Sequence, residues 1–275
     1  MDDPRRHPSA HPLPDARDDV NRERHIPDTP QTRSPTHRLA FTDTEFLSRQ
    51  DMRPVRLQLE LLKAHVTLEE AGIESTVVMF GGARVPSPGA AGSAPAGLAA
   101  LSPFYEEARK FAQQVTARSM ETGGTHNVIV TGGGPGVMEA GNLGAGQANG
   151  VSIGLGIVLP HEQAPNPYVT PELSFNFHYF AIRKMHFLMR ASVITVFPGG
   201  FGTLDELFEA LTLIQTGRMA RVPILLFGEA FWTSIINWDA LAQSGTINRD
   251  DLGLFTYVET ADQAMAALDA QGVTF

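Results

Sequence analysis

A chain of 275 residues, of which 43 % are apolar, is long enough to fold into one α/β domain with a substantial core. Its 21 basic and 30 acidic residues give a net charge of −9, opposite in sign to the basic footprint of nucleic-acid-binding proteins. The lack of cysteine excludes disulfides, thiol catalysis and zinc–thiolate sites. With no signal peptide and no apolar run of about 18 residues, the sequence predicts a soluble cytoplasmic protein that binds neither nucleic acid nor membrane.

Residues 1–45 are predicted to form a disordered tail rich in Pro, Arg and His. Residues 1–40 contain seven of the 19 prolines, and their seven Arg balance seven acidic residues, so the rest of the chain carries the whole net charge. Such a segment has too little apolar surface to offset its ordering entropy. Its histidines, at positions 7, 11, 25 and 37, are scattered, which favours a charged linker over a metal site. Residues 46–275 are predicted to be a single nucleotide-binding domain that starts with a helix.

Apolar residues at helical spacing, with Pro54 in the first turn and Gly72 after the last, predict a helix over 54–71. Short β-branched runs then alternate with longer helical patterns. The predicted strands are Ser75–Phe80, Val128–Thr131, Val151–Ile157, Ser192–Phe197, Ile224–Phe227 and Phe255–Val258. The predicted helices cover about 102–121, 136–149, 178–190, 203–217, 230–243 and 260–270. This alternation indicates a doubly wound, Rossmann-like parallel sheet with helices on both faces.

Two long loops, residues 86–101 and 158–174, follow predicted strands. In open parallel sheets the ligand crevice lies beyond the carboxyl ends of the strands, so both loops are candidate parts of a site.

Three predicted strands run directly into glycine-rich turns: Gly81–Arg84, Gly132–Gly136 and Pro198–Thr203. The second and third turns open helices, whose free N–H groups and dipole favour an anion. Tight turns use glycine anyway, but two such turns on one sheet favour a phosphate ligand. Neither the dinucleotide fingerprint nor the P-loop is present, so a smaller phosphate ester fits best.

Several polar residues near these turns have two interpretations. Glu206 forms a capping box with Thr203 on spacing alone, or is a carboxylate held beside the ligand. Glu139 is likewise either an acid suited to a helix start or a ligand contact. Arg183, His186 and Arg190 share one helix face, which is either solvated or supplies an arginine to the ligand. The aromatic run of Phe175, Phe177, Tyr179 and Phe180 is predicted to be core rather than a base-stacking platform.

The stretch from Pro198 to Glu206, PGGFGTLDE, matches the PGGxGTxxE signature of the LOG ("Lonely guy") family. The turn from Gly132 to Ala140 resembles the family's GGGxxGxMxA motif, and Arg183-Lys184 matches its RK pair. Gly81–Arg84 resembles the family's turn after the first strand. The stretch around Asn166-Pro-Tyr and Phe175–Phe180 is similar to the larger bacterial members. Together these motifs cover residues 75–230.

This resemblance implies a phosphoribohydrolase that acts on cytokinin riboside 5′-monophosphates or AMP. It implies Arg183 and Glu206 as the catalytic pair. It places substrate contacts at Arg84, Gly133, Gly134, Glu139, Gly199, Gly200, Gly202 and Thr203. No metal or other cofactor is expected. A homo-oligomer, dimer or higher, is expected, with helices 178–190 and 203–217 as candidate interfaces.

Two other functions fit the sequence less well. A binding or carrier protein for a nucleotide or phosphorylated cofactor would use the same sheet and turns. The label "lysine decarboxylase", carried by many relatives, is disfavoured. A pyridoxal-phosphate enzyme needs a Schiff-base lysine, and Lys63, Lys110 and Lys184 lack a recognisable cofactor context.

Overall fold

The computed structural model describes residues 15–160 and 164–275, which separate into two compact units, Met1–Leu59 and Glu60–Phe275. In the first unit lie α1, Ala16–Glu23, and α2, Thr44–Leu47, capped by the carboxylates of Asp15 and Asp43. Helix α3, Arg53–Glu70, spans the boundary and confirms the predicted helix over 54–71. The predicted disorder of residues 1–45 stays a prediction, and its first fourteen residues lie outside the described part.

The second unit is built on one parallel sheet of seven strands. They are β1 Thr76–Phe80, β2 Val128–Thr131, β3 Ser152–Ile157, β4 Ser174–Phe177, β5 Ala191–Val196, β6 Ile224–Phe227 and β7 Thr256–Val258. Their order across the sheet is β4-β3-β2-β1-β5-β6-β7, and every pairing is parallel. Six strands were predicted to within one residue at each end, whereas β4 was missed.

The remaining helices are α4 Ala96–Ala99, α5 Ser102–Glu121, α6 Val137–Gln147, α7 Phe180–Met189, α8 Phe201–Gln215, α9 Glu229–Ile235, α10 Trp238–Gln243 and α11 Ala261–Ala270. Alternate strand residues face two cores. One core holds Val78 and Phe80 with buried residues of α3, α7, α8 and α9. The other holds Val77 and Met79 with residues of α5, α6 and α11. The predicted doubly wound fold with helices on both faces is confirmed.

Two sequence predictions in this unit are wrong in detail. The single helix over 230–243 is two helices, because Ile236 is extended and the side chain of Asn237 caps α10 by accepting from the Ala240 N–H. The aromatic run is only partly core. Phe175 and Phe177 are buried on β4, whereas Phe180 is exposed at the start of α7.

Strand β1 lies at the point where the strand order reverses, with β2 on one side and β5 on the other. A crevice forms at such a switch point beyond the carboxyl ends of the strands. The three glycine-rich turns follow β1, β2 and β5, so the topology brings them to this one edge. No helix within residues 15–160 or 164–275 combines the length and hydropathy of a membrane-spanning segment.

Candidate active site at the carboxyl edge of the sheet

The three glycine-rich turns pack directly against one another. Gly82 N–H donates to the Pro198 carbonyl at 3.0 Å, and Val137 N–H donates to the Gly82 carbonyl at 3.3 Å. A Cβ on Gly199 would lie 2.2 Å from Thr203 Oγ1 and 3.0 Å from Gly82 N. Glycine is therefore required for the close approach of these turns, whatever ligand they hold.

Replacing Gly136 by Ala is expected to destabilise the protein by about 3 kcal/mol. Gly136 has a φ of +69°, and an added Cβ would lie 2.4 Å from the Gly82 carbonyl oxygen. The matched control is Gly146→Ala on the same helix, where a Cβ meets nothing and Ala should add about 0.5–1 kcal/mol. Urea unfolding measures both. Equal stability of the two variants would contradict the close packing of Gly136 against the Gly82 carbonyl.

Helix α7 carries Arg183 into this edge, where several contacts hold its guanidinium. Nε donates to the Leu155 carbonyl at 2.7 Å, and Nη1 donates to Glu206 Oε1 at 3.1 Å. The guanidinium carbon lies 5.0 Å from the centre of the Phe187 ring. A Cβ on Gly132 would lie 2.6 Å from Nη2, so that glycine makes room for the arginine. Arg183 is 9 % exposed.

The solvated-face interpretation of α7 is therefore wrong for Arg183 and His186, which are both buried. His186 Nε2 lies 3.1 Å from the Leu61 carbonyl, and its ring packs near Phe177. Burial lowers the pKa of His186, which favours the neutral imidazole. His186 thus supports the packing of α7 and does not face Glu206, the residue that pairs with Arg183.

Glu206 lies in the second turn of α8, facing Arg183. The capping-box interpretation is wrong, because α8 begins two residues earlier than predicted, with Gly200 at the N-cap and no side-chain cap. Thr203 is instead buried within the first turn. Burial raises the pKa of Glu206 to about 7, against the opposing attraction of Arg183. A carboxyl poised near neutrality beside a fixed cation is suited to acid–base or electrostatic catalysis.

A cavity of about 520 Å³ opens beside this pair. It is lined by the second glycine turn, the ends of β3 and β4, Met138 and Arg183, and by the loop residues Leu159, Ala164 and Pro165. Of the predicted substrate contacts, Gly133 and Gly134 line it. Among the described residues that line it, none belongs to the turn that holds Gly199, Gly200, Gly202 and Thr203. Glu206 is not among these lining residues either, and its link to the cavity is its contact with Arg183.

Two predicted contacts lie away from the cavity lining. Glu139 accepts a hydrogen bond from the Tyr105 hydroxyl at 2.8 Å, which ties it to α5. Burial and this bond raise the pKa of Tyr105. Arg84, the last residue of the first glycine-rich turn, is exposed, and no described residue pairs with its side chain. Arg84 can therefore turn toward an anion, whereas Glu139 already has a partner.

Comparison with known proteins agrees with the motifs. A family model described as "Possible lysine decarboxylase" matches residues 138–268, which include Arg183 and the turn that leads to Glu206. A "Bifunctional cytokinin biosynthesis protein" of Fusarium pseudograminearum (strain CS3096) is 35 % identical over 72 residues. The chain thus resembles the LOG family in its motifs and in these two matches. The match spans 26 % of this chain and only 15 % of the fungal protein.

Two solved structures resemble this chain at low sequence identity. The molybdenum cofactor binding protein of Rippkaea orientalis is 17 % identical with a TM-score of 0.49, covering 73 % of this chain and 98 % of that one. The Moco carrier protein of Chlamydomonas reinhardtii is 18 % identical with a TM-score of 0.45, covering 72 % and 96 %.

The structure also shows a buried polar network that the sequence did not predict. Asn166 N–H donates to the Gly133 carbonyl at 2.8 Å, and its amide donates to Gly134 O and to Asn142 Oδ1, each at 2.9 Å. Asn142 also accepts from Thr131 and donates to Ser152. The network fixes the loop after β3 to the second turn. Its sequence signals were the long loop, a candidate part of a site, and the Asn166-Pro-Tyr stretch of the family resemblance, neither of which indicated these contacts.

Proposed function

We propose that this protein hydrolyses the N-glycosidic bond of a nucleoside 5′-monophosphate, AMP or an N6-substituted cytokinin ribotide, to the free base and ribose 5-phosphate. The observation that carries the proposal is the buried pair of Arg183 and Glu206, 3.1 Å apart, beside three interlocked glycine turns. The resemblance to the LOG motifs, the match to the family model and the partial likeness to a cytokinin biosynthesis protein support the same reaction.

In the proposed reaction, the C1′–N bond breaks and a water oxygen bonds to C1′. One water proton ends on the departing base and the hydroxyl remains on the ribose. Positive charge develops on the sugar in the transition state. The ionised Glu206 carboxylate stabilises this charge or deprotonates the water, while Arg183 stabilises negative charge on the departing base.

The 5′-phosphate is the proposed handle that holds the ribose against Glu206. The first turn of α8 supplies N–H groups with no partner inside the helix, on Phe201, Gly202 and Thr203. Gly199 and Gly200 bring the backbone close to the anion, and exposed Arg84 adds a positive charge from the first turn. Gly133 and Gly134, on the cavity side, contact the nucleoside part. The nucleotide contact predicted for Glu139 requires its second carboxylate oxygen, since Tyr105 donates to the first.

Purified protein is expected to release adenine from AMP with a kcat/KM at least about 100-fold higher than from adenosine, since the phosphate supplies binding energy that positions the ribose. Chromatographic separation of the products of AMP, adenosine and a cytokinin monophosphate measures this. An equal kcat/KM for adenosine would mean that the 5′-phosphate does not position the ribose. Tight AMP binding without any turnover would favour a carrier protein instead.

We also propose that the chain forms a homo-oligomer through the outer faces of α7 and α8. Phe201 is 92 % exposed, and Phe180, Met185, Met189 and Phe208 are exposed on the same two helices. Exposed apolar residues clustered in this way are typical of protein interfaces. Light scattering of wild type and of the double variant Met185→Glu/Met189→Glu tests this. Dimers or larger assemblies are expected for wild type and monomers for the variant, and a monomeric wild type would overturn the idea.

A further inference from the structure

One face of strands β3 and β4 lines the cavity and carries polar side chains at its edge. In their parallel register, Gly154 pairs with Ser174 and Gly156 pairs with Asn176. Paired residues of neighbouring strands point to the same face, so two glycines form its floor and a hydroxyl and a carboxamide flank it. All four residues line the cavity. Ser174 and Asn176 are exposed, whereas Phe175 and Phe177 between them are buried.

The two glycines that form the floor differ in the space around their backbones. A Cβ on Gly154 would lie 2.8 Å from Val169 Cγ1, so this position is closed by the loop after β3. A Cβ on Gly156 would approach the Phe175 carbonyl at 3.2 Å and Asn176 Oδ1 at 3.8 Å, with no other atom of the described residues within 4 Å. The backbone at Gly156 is therefore open to the cavity, and a planar ring can lie on it beside Asn176.

The polar groups on this face are not used by the fold. Among the described residues, neither the Ser174 hydroxyl nor the Asn176 carboxamide has a hydrogen-bond partner. A carboxamide carries donors on one side and an acceptor on the other. That pattern complements the amino group and N7 of adenine, whereas a 6-oxopurine presents two acceptors, O6 and N7, at the same edge.

We propose that this face is the nucleobase subsite and that Asn176 is a specificity-determining residue that reads the amino edge of a 6-aminopurine. This proposal rests on the proposed function for the choice of a nucleotide ligand. Arg183 lines the same cavity, so a base placed on Gly156 shares one continuous space with the proposed reaction centre. The second glycine turn lies close to both sides, since Gly132 is against Arg183 and Gly133 is against Gly154.

Isothermal titration with AMP, IMP and ribose 5-phosphate tests the subsite, in a Glu206→Gln background so that AMP is not consumed. The parent is expected to bind AMP more tightly than IMP. Asn176→Ala should weaken AMP binding about tenfold, bring AMP and IMP to similar affinity and leave ribose 5-phosphate unchanged. Gln243→Ala, which removes an exposed carboxamide from α10, is the matched control and should change nothing.

Equal affinity of the parent for AMP and IMP, or an equal loss of AMP and ribose 5-phosphate binding in Asn176→Ala, would overturn the subsite. Absence of AMP binding would overturn it as well. The titrations are repeated in the wild-type background if that protein hydrolyses no nucleotide. An Asn176-dependent preference for AMP in an inactive wild type would then refute the hydrolase while supporting the subsite.

Discussion

Glu206→Gln is expected to lower kcat for AMP hydrolysis by about 10²- to 10³-fold while leaving ribose 5-phosphate binding within a few-fold of wild type. The amide keeps the size of the side chain and can still accept from Arg183, but it cannot carry the charge that the oxocarbenium-like sugar requires. The measurement is steady-state hydrolysis at pH 8, where the wild-type carboxyl is ionised, together with a titration of ribose 5-phosphate.

Glu209→Gln is the matched control for this substitution. Glu209 lies one turn further along α8 and pairs with Lys184 Nζ at 3.0 Å on the outer side of the helix. Its amide variant should retain wild-type kcat, because a partly exposed ion pair contributes little to stability and Glu209 is not among the residues that line the cavity. A Glu206→Gln enzyme as active as Glu209→Gln would exclude Glu206 as the catalytic carboxylate.

The same variant should reveal the raised pKa of Glu206 as a change in stability. A carboxyl with a pKa near 7 when folded and about 4.5 when unfolded holds its proton more tightly in the native state. Its stabilising contribution is therefore complete below pH 4.5 and is lost as the pH rises through 7. Between pH 5 and 8, wild type should lose about 2–3 kcal/mol relative to Glu206→Gln. Urea unfolding across this range measures the difference, and a constant difference would contradict the assigned pKa.

The order of strands and helices could be predicted because each βα unit shows its own hydrophobic period and turn chemistry. Strand β4 could not, since its four residues alternate polar and aromatic at the edge of the sheet and stand directly before α7. The aromatic residues predict burial in the core, whereas an alternation over four residues is too short to identify a strand. The break at Ile236 was missed for a similar reason, because the apolar pattern continues on both sides of Asn237.

The candidate site was predictable as a set of motifs, but not as a geometry. The spacing of Thr203 and Glu206 fits a capping box, and only the start of α8 at Phe201 shows that Glu206 faces Arg183 instead. Likewise, i, i+3 and i+7 spacing places Arg183 and His186 on one face without revealing that the face is buried. The contacts that decide these cases, such as Arg183 with Leu155, join residues that are far apart in the chain and leave no local pattern.

Arg183→Met should change the pH dependence of hydrolysis as well as its rate. The charge of Arg183 lowers the pKa of Glu206, so its removal leaves burial unopposed and raises that pKa further. If the ionised carboxyl is the active form, wild-type kcat rises with pH through about 7, and in the variant the rise should move up by roughly one pH unit or more. The plateau at high pH should also fall at least about tenfold, because the departing base loses its cation.

Arg183→Lys separates charge from geometry in this prediction. The ammonium restores a positive charge near Glu206 but cannot bond to both the Leu155 carbonyl and the Glu206 carboxylate in the planar arrangement of a guanidinium. The pH profile should therefore return toward that of wild type, while the plateau remains low. Arg190→Met, on the same helix and in contact with His65, controls for the packing of α7 and should leave the profile in place. A profile that shifts equally in Arg190→Met would mean that the effect comes from loosening the helix, and Arg183 would then lose its assigned role.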